Sequence, residues 1–474
     1  MPSLSDLPGP APMPVVGWWG NVVRFFGDPI GYMAPLAAEY GPLVRFARGR
    51  EGPVLIREAT YGPVLGFSPA CAQTVWGQSG TYHITRVPGP RYDPSFQRIT
   101  AGLFSMNDDR HRKHRRLIQP AFHKTRIEGY HGAMVSLTRR AVEGWRAGQV
   151  HDLSGEMTPL TLSVANKALF GLDPTPGVLS LGEGIQGVAE LLITPAALVP
   201  VDLPYTPRRR LIERCAQMEK DLRAIIAHKR TEPPGDDVLA TLLATRDEDG
   251  GFLTDDELIG QLFVLFFAGH DTTRSAIAWT LFLLSQHPRT QNELQGELTS
   301  VLGGDALRLE DLPRLPLLDR VVKESLRLFT PAPFTARITV VPTTLEGVDL
   351  QVGTEVILSP YCLHRLPDLY PEPQRFRPSR WEKLDPTPFE YAPFGAGARM
   401  CIGAGFATME LKVVLSLLVQ RFSFELAPGA VIDRKTTIVL SPKHGMPLRL
   451  RPPGAAVQTG MVRGNVREMV DLPS

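Results

Sequence analysis

The chain has 474 residues and is nearly neutral, with 51 lysines and arginines against 49 aspartates and glutamates and a formal net charge of +2. This balance excludes a general electrostatic attraction to nucleic acid or to an anionic membrane. The four cysteines are too few and too scattered for a disulfide framework, which favours a reducing compartment.

The N-terminal region predicts a protein without a membrane anchor. Its first twenty residues contain no basic region and no apolar run free of proline, so we expect neither a signal peptide nor an anchoring helix, and a cytoplasmic location. Further along, GYMAPLAAEY (31–40) predicts a helix. The short apolar runs PLVRFA (42–47) and PVLIRE (53–58) predict a small sheet after it.

A strongly basic segment, HRKHRR, begins at His111. On a helix His111 and Arg115 share one face, whereas Arg112 and Arg116 point elsewhere. One face could therefore bind an anion while another contacts an acidic partner. The alternatives are a solvated basic face and, for His111 with His114, a fragment of a zinc site that has no further ligands nearby.

Helical periodicity dominates from about residue 125 to 330, and its clearest element is one long helix. Thr254 and Glu257 have capping-box spacing, and Pro288 lies just past the last apolar residues. About 32 residues at 1.5 Å each would give roughly 48 Å, enough to cross the whole molecule. The polar run HDTTR (270–274) excludes a transmembrane span, because five polar groups would lie at bilayer depth.

The middle of this helix reads AGHDTT and begins at Ala268. Ala268 and Gly269 leave about one turn without side-chain bulk, where a flat or bulky ligand could lie. Asp271 beside Thr272 provides what a proton relay needs, an acid that can recharge and an alcohol that can hold a water. The alternative is a helix kink in which Thr272 bonds back to the carbonyls of its own helix.

Glu324 and Arg327, in KESLRL, lie three residues apart on one helical face. An arginine of the later segment PEPQRFRPSRW could reach this pair and fasten a proline-rich loop to the core. The alternative is a solvated basic loop.

Short strands and loops follow residue 331, apart from one helix after Cys401. No serine- or glycine-rich linker divides the chain, so we predict a single domain over residues 1–474, with about 453–474 as a mobile tail. The predicted fold class is mainly α, a large helical domain with small peripheral β-sheets.

The stretch FGAGARMCIG (394–403) places one cysteine among glycines. A thiolate is a strong metal ligand, and small residues would let the backbone approach a large planar cofactor and leave N–H groups for the sulfur. A helix starting directly after Cys401 would favour a negative sulfur, and Arg399 would face an anionic group of the same ligand. The alternative is a buried structural cysteine in a glycine-rich turn.

Together these motifs resemble the cytochrome P-450 superfamily. The run F-x-x-G-x-R-x-C-x-G is similar to the haem-binding loop of that family, and its five fixed positions all match: Phe394, Gly397, Arg399, Cys401 and Gly403. AGHDTT resembles the oxygen-activation motif of the long central helix. Glu324 and Arg327 resemble the E-x-x-R pair, with Arg380 as its third partner, and the resemblance spans about residues 7–452.

The resemblance implies the cytochrome P-450 fold and a soluble, bacterial-type haem-thiolate monooxygenase with haem b as its cofactor. Cys401 would be the iron ligand, and Asp271 and Thr272 would deliver protons to bound dioxygen. The other residues implied to contact the haem or its propionates are His111, Arg115, Ala268, Arg337, Phe394, Gly397, Arg399 and Gly403.

The resemblance also implies partners. One atom of O2 would be inserted into a lipophilic substrate by hydroxylation or epoxidation. Electrons would come from a ferredoxin or flavodoxin-type donor with its reductase, docked on the basic residues Arg112, Lys113 and Arg116 of a monomeric enzyme. The substrate pocket would be lined by residues 82–104 and 190–205 and by Phe263, Phe267, Ala268, Phe334, Thr335, Ile438 and Val439.

Two other functions remain open at this level. A haem-thiolate peroxygenase or hydroperoxide isomerase would need no reductase, although such relatives typically lack an acid–alcohol pair like Asp271–Thr272. A haem-based sensor or carrier would bind the cofactor without turnover.

Overall fold

The structure is a computed structural model that describes residues 3–49, 52–85, 87–173, 176–192 and 195–472. Helices make up most of it, as predicted. In chain order they are α1 (Trp18–Gly27), α2 (Pro29–Tyr40), α3 (Pro69–Gly77), α4 (Pro94–Ile99), α5 (Asp108–Ile118), α6 (Lys124–Ala141), α7 (Leu153–Phe170), α8 (Pro176–Leu192), α9 (Pro195–Leu198), α10 (Pro207–Lys229), α11 (Val238–Ala244), α12 (Asp255–Gln286), α13 (Pro288–Leu302), α14 (Pro316–Leu328), α15 (Pro360–Leu363) and α16 (Ala404–Arg421).

The strands are short and lie around the helices. They are β1 (Leu43–Arg45), β2 (Tyr61–Gly66), β3 (Tyr82–His83), β4 (Val150–Asp152), β5 (Thr335–Thr339), β6 (Thr343–Leu345), β7 (Val348–Leu350), β8 (Thr354–Leu358), β9 (Ser423–Leu426), β10 (Arg434–Thr436), β11 (Leu440–Pro442) and β12 (Pro447–Arg451). The largest sheet has the order β1-β2-β8-β5-β3, in which only β2 and β8 run parallel. A second sheet has the order β4-β12-β9, and β6-β7 and β10-β11 are hairpins.

The long helix α12 forms the centre of the molecule. The Thr254 hydroxyl accepts the Glu257 N–H (3.3 Å), the Glu257 carboxylate accepts the Thr254 N–H (3.0 Å), and Pro288 begins the next helix, as predicted. The helix packs against α7 and also contacts α4, α14 and α16. Near its C-terminal end the fully buried Trp279 stacks on Phe329 with ring centroids 4.3 Å apart. Among the described residues no helix is long and apolar enough to cross a membrane.

The predicted sheet after α2 forms with one difference. PLVRFA supplies β1, but the second strand is Tyr61–Gly66 and not the run PVLIRE. The N–H groups of Val54, Leu55 and Ile56 instead donate to the buried Glu355 carboxylate on β8, at 2.8, 2.9 and 3.2 Å. A distant side chain therefore takes the place that a neighbouring strand would have in satisfying this backbone.

The C-terminal segment also differs from expectation, because much of it lies on the core instead of forming a mobile tail. Apolar side chains spaced about one helical turn apart give it a buried face: Val462, Val466, Met469 and Val470. The Arg365 guanidinium donates to the Met469 carbonyl (2.9 Å). Residues 473–474 lie outside the described residues.

Candidate active site

Hydrogen bonds between its own backbone groups close the loop around Cys401. The Cys401 N–H donates to the Phe394 carbonyl (2.9 Å), and the Met400 N–H donates to the Gly397 carbonyl (3.1 Å). Gly397 has a φ of +69°, and a Cβ there would lie 2.1 Å from the Trp76 carbonyl oxygen. Only glycine fits at this point, and the loop therefore lies directly on α3.

The Cys401 sulfur is accessible, whereas the other three cysteines are buried. Burial nevertheless raises the pKa of its thiol, while the Gly403 N–H and the charge of Arg115 act in the opposite direction by favouring the thiolate. The Cys401 side chain is therefore accessible from solvent although protein atoms lie close around it. This is the environment in which a thiolate can take a ligand.

Four basic side chains from separate parts of the chain form a group that we call the cation cluster: His111 and Arg115 on α5, Arg337 on β5, and Arg399 in the cysteine loop. The pKa of His111 falls to about 4, first because of burial and then because of the nearby positive charges of Arg399, Arg115, Arg112 and Arg337. Burial, followed by the charge of Arg399, lowers the pKa of Arg337 to about 10. The structure thus brings all four predicted residues together.

Within the described part of the chain none of the arginines of this cluster forms an ion pair with a carboxylate, although the charge of Asp108 partly offsets that of Arg399. Arg399 donates to the Met106 carbonyl (2.6 Å) and to Asn107 Oδ1 (2.7 Å), while its buried Nε has no partner. Arg337 donates to the carbonyl of Ala336 (2.8 Å). Cations that are packed together in this way require an anionic ligand, and the carboxylates of a planar cofactor fit that requirement.

The polar break in α12 does not interrupt the helix. The Thr272 hydroxyl donates to the Ala268 carbonyl (2.8 Å), as in the alternative interpretation of the motif, and Thr273 donates to Gly269 (2.9 Å). Gly269 has open space where a Cβ would lie, and Ala268 is only half-buried. The helix therefore remains regular while it leaves one turn of its surface bare.

Asp271 has a partner that the sequence analysis missed. Arg274 donates to Asp271 Oδ1 through Nε (2.9 Å) and Nη2 (2.5 Å), and its Nη1 donates to Ser154 Oγ on α7 (2.7 Å). The spacing of three residues between Asp271 and Arg274 could have indicated the pair. Neither Asp271 nor Thr272 contacts Cys401 or the cation cluster through a hydrogen bond among the described residues.

The predicted pair of Glu324 and Arg327 is fully buried and has its predicted third partner. Arg327 donates to both carboxylate oxygens of Glu324 (2.9 Å each), and Arg380 Nε donates to Oε1 (2.9 Å). Trp381 Nε1 and the Arg377 N–H add two further donors at 2.9 and 3.0 Å. Burial alone would raise the pKa of Glu324, but Arg327 and the other donors hold it below its ordinary value.

The basic residues predicted to dock an electron donor do not form a free positive face. Arg112 pairs with Asp109 on its own helix, Lys113 pairs with Asp247 (2.6 Å), and Arg116 pairs with Glu248. Arg112 and Arg116 point to solvent, as the helical spacing predicts. Each cation has a carboxylate beside it, which weakens the positive potential of the surface.

The predicted pocket residues on α12 and at the start of β5 lie in the core or pack against it. Phe263 and Phe267 are one turn apart with ring centroids at 6.3 Å, and Phe263 is buried while Phe267 is half-buried. Phe334 contacts the ring of Phe25 on α1 at 5.5 Å. The hydroxyl of Thr335 accepts the indole N–H of the tryptophan on α3 (3.3 Å).

The other predicted pocket residues are divided between surface and interior. Val439 is buried, whereas Ile438 is 47% exposed. Of the predicted segments 82–104 and 190–205, residues 86 and 193–194 lie outside the described residues. Large apolar side chains of the second segment are exposed: Val199, Val201, Leu203 and Tyr205.

One cavity of about 330 Å³ lies beside the first turn of α12 and has several charged residues in its lining, among them Arg98, Arg110, Asp256 and Glu257. Glu257 precedes Thr272 by 15 residues, about 22 Å along the helix. This cavity is therefore separate from the region where Cys401 and the cation cluster meet.

Comparison with known proteins gives the family of the chain. The family model described as Cytochrome P450 matches residues 7–448. Cyclooctatin synthase from Streptomyces melanosporofaciens is 35% identical over 375 residues, 77% of this chain and 81% of that protein. Pentalenene oxygenase from Streptomyces avermitilis is 32% identical over 378 residues, 77% and 82% of the two chains. Cyclooctat-9-en-7-ol 5-monooxygenase from Streptomyces melanosporofaciens is 31% identical over 353 residues, 73% and 77%.

Solved structures have the same architecture. The crystal structure of the cytochrome P450DA heme domain superposes with a TM-score of 0.81 and 25% identity, covering 94% of this chain and 97% of that one. The retinoic acid bound cyanobacterial CYP120A1 gives a TM-score of 0.80 at 24% identity, covering 95% and 99%. The second likeness shows the fold alone.

Proposed function

Because the chain belongs to the cytochrome P450 family, as its motifs predict, we propose that Cys401 is the iron ligand of its haem and that the cation cluster holds the haem carboxylates. The family membership makes the protein a haem b monooxygenase that uses O2, a substrate and an external redox partner. When bound, the haem supplies the activation of dioxygen, from which one atom enters the substrate and the other leaves as water. The main observation in support is that the arginines of the cation cluster form no ion pair with a carboxylate among the described residues and lie beside an accessible cysteine.

The cysteine loop prepares the sulfur for this role. The Gly403 N–H and the positive charge of Arg115 favour the thiolate, which is the form that binds iron. The backbone bonds from Cys401 to Phe394 and from Met400 to Gly397 fix where the sulfur lies. These contacts hold the sulfur where it would bind the iron.

The cation cluster orients the cofactor by its charged edge. Arg115, Arg337 and Arg399 lie on three separate elements, and their charges, after burial, lower the pKa of His111 to about 4 while no anion lies beside it. The arginines supply the positive charge, while the imidazole supplies one hydrogen bond.

Thr272 and Asp271 deliver protons. The Thr272 hydroxyl donates to the Ala268 carbonyl (2.8 Å) and keeps its oxygen lone pairs available to accept from a water. The Asp271 side chain is 28% exposed, so its carboxylate can take a proton from solvent. Arg274 binds only Oδ1 of the Asp271 carboxylate, so Oδ2 stays available to pass that proton toward Thr272.

The substrate is a lipophilic cyclic hydrocarbon or alcohol. The half-buried Phe267 and Ala268 present an apolar surface on the same helix as Thr272. Two relatives carry names that specify an alkene and an alkenol, pentalenene and cyclooctat-9-en-7-ol. Burial against an apolar wall supplies affinity for such compounds, and the shape of the pocket then determines which carbon is oxidised.

One titration tests this proposal. The purified holoprotein should give the carbon monoxide difference spectrum of a thiolate-ligated haem, and cyclic alkenes and alkenols should shift its Soret band to the blue by displacing water from the iron. Absence of the thiolate spectrum would contradict the role of Cys401. A normal thiolate spectrum with shifts only for straight-chain fatty acids would contradict the substrate class. Turnover with hydrogen peroxide but not with a reductase would favour the peroxygenase alternative.

The electron donor is a ferredoxin or flavodoxin-type protein with its reductase, and the enzyme is a cytoplasmic monomer. Arg112, Lys113 and Arg116 remain the docking residues in this proposal, although a carboxylate lies beside each of them. An acidic donor has to compete with these carboxylates for the three cations.

Removing the competing carboxylates tests the docking site. Asp247→Asn combined with Glu248→Gln should raise the rate of haem reduction by an acidic ferredoxin several-fold at low salt, and high salt should abolish the difference. Stopped-flow reduction over a range of ionic strength measures this effect. Equal rates for the variant and the wild type at low salt would place the donor on another surface.

A further inference from the structure

The C-terminal segment at residues 462–472, which we call the C-terminal strap, lies beyond the residues that the family model matches. Its backbone is bonded to the stretch that leads into β10. The Ile432 N–H donates to the Arg463 carbonyl (2.8 Å), and the Val466 N–H donates to the Ile432 carbonyl (3.2 Å). Between them Gly464 has a φ of +105°, and a Cβ there would lie 2.3 Å from the Ile432 oxygen. The strap and this stretch thus approach as closely as their backbones allow.

Asn465 ties the strap to the first residue of β10. Its Oδ1 accepts the Arg434 N–H (2.7 Å), and its own N–H donates to Asp433 Oδ1 (2.8 Å). The Arg434 side chain, which is buried, donates to the Asn465 carbonyl (3.1 Å) and pairs with Asp28 and with Glu468 (2.7 Å). The strap, the start of β10 and the N-cap of α2 therefore meet at one arginine.

The hairpin β10-β11 connects this attachment point to the active site. Its return strand donates from the Leu440 N–H to the Pro331 carbonyl (2.9 Å). The Leu440 carbonyl accepts from Trp279 Nε1 (3.2 Å) and from the hydroxyl of Ser275, which lies three residues after Thr272 on α12. The tip of the hairpin at residues 437–439 thus lies beside the helix that carries the proton-delivery residues.

We propose that the C-terminal strap sets the position of the β10-β11 hairpin, and through its tip the shape of the substrate pocket, with Asn465 as the positioning residue. The inference rests on the proposed function, since it takes the pocket to be the one beside Thr272. The strap binds the hairpin at the end opposite its tip. β11 is held on α12 by Leu440, whereas β10 is held at its start by Asn465. Loosening the attachment at Asn465 lets the tip move while α12 stays in place.

A pair of substitutions at Asn465 distinguishes this positioning role from a general effect on the stability of the protein. Deleting the strap would expose Val466 and Met469 and would threaten folding. Asn465→Ala removes only the acceptor for the Arg434 N–H, and Asn465→Asp keeps that oxygen acceptor and serves as the matched control. Hydrogen exchange of peptides covering residues 434–442 should rise about three- to tenfold in Asn465→Ala, the effect of one lost hydrogen bond. It should return toward the wild-type rate in Asn465→Asp.

Two azoles that ligate haem iron report on the pocket itself. Imidazole is too small to reach the hairpin, whereas clotrimazole is bulky and must contact the pocket walls. In the holoprotein, Asn465→Ala should weaken clotrimazole binding about three- to tenfold and leave both imidazole binding and the carbon monoxide spectrum unchanged. Asn465→Asp should restore the affinity for clotrimazole.

Several results would overturn the inference. They are unchanged exchange at residues 434–442, faster exchange without a change in the ratio of the two azole affinities, and equal weakening of both azoles together with loss of the thiolate spectrum. A wild-type protein without the thiolate spectrum would instead contradict the proposed function. The exchange measurement would still report whether the strap holds the hairpin, since it requires no haem.

Discussion

Gly395 and Gly397 of the cysteine loop have almost the same backbone angle, with φ of +68° and +69°, but different surroundings. A Cβ at Gly397 would lie 2.1 Å from the Trp76 carbonyl, whereas Gly395 has nothing within 4 Å. We expect Gly397→Ala to abolish haem incorporation, because the loop must move off α3. Gly395→Ala should cost only the strain of its φ, about 1–2 kcal/mol, and should keep the cofactor.

The haem content and the carbon monoxide spectrum of the two purified variants measure this difference. Equal loss in both variants would mean that the positive φ matters and that the contact with α3 does not. Equal retention would mean that the loop can shift without moving the Cys401 sulfur.

Thr272 and Thr273 are neighbours whose hydroxyls make the same bond, each to the carbonyl four residues earlier. Thr272 is half-buried and Thr273 is buried. We expect Thr272→Ala to lower product formed per electron consumed by about tenfold or more, as for the loss of a proton-transfer group, with haem binding intact. Thr273→Ala should leave this coupling unchanged. The measurement compares product yield with reductant consumption, and unchanged coupling in Thr272→Ala would remove the hydroxyl from the relay.

Helix α14 and the loop after it are joined by a charge network that is wholly internal. Glu324 is 0% exposed and accepts from Arg327, Arg380, Trp381 and the backbone of Arg377. Breaking such a network leaves uncompensated buried charge. We therefore expect Glu324→Gln to lower the free energy of unfolding by about 3–5 kcal/mol.

A surface pair on the same helix gives the control for this prediction. Arg320 pairs with Glu382 at 3.0 Å, and the Glu382 side chain is half exposed. Glu382→Gln should cost less than about 1 kcal/mol. Urea-induced loss of the thiolate spectrum measures both variants. A small effect of Glu324→Gln would mean that the remaining donors rearrange around the amide.

Elements with local signals were predictable, and contacts between distant segments were not. The ends of α12 follow from a capping box and a proline, both within a few residues of the boundary. By contrast, the acceptors of Arg399 at Met106 and Asn107 lie about 290 residues away along the chain. The run PVLIRE was predicted as a strand because its own residues favour one, and a carboxylate 300 residues later decides otherwise.

Buried acids should make the stability of the whole molecule depend on pH, and Glu410 is the clearest of them, although burial also raises the pKa of Glu355 to about 7. Glu410 on α16 is buried, its Oε1 has no hydrogen-bond partner, and burial raises its pKa from 4.5 to about 8. The folded protein therefore holds a proton there that the unfolded chain releases. Stability should fall as pH rises from about 4.5 to about 8.

Glu410→Gln should flatten this dependence, because the amide does not ionise. Urea midpoints at about pH 5 and about pH 8 should differ by less in the variant than in the wild type, with the larger loss in the wild type on the alkaline side. The same slope in both proteins would mean that Glu410 is ionised in the folded state.

The largest sheet has a consequence for how the chain is made. β2 lies beside β8, and the pair joins Tyr61 to Thr354. The ribosome synthesises the 292 residues between them at roughly 5–20 residues per second, so β2 emerges about 15–60 seconds before its partner exists. During that interval one edge of β2 has no β8 to bond, and such an edge favours pairing with other chains. Slow translation between these strands should therefore lower the yield of folded protein in cells, and a chaperone that covers β1 and β2 should restore it.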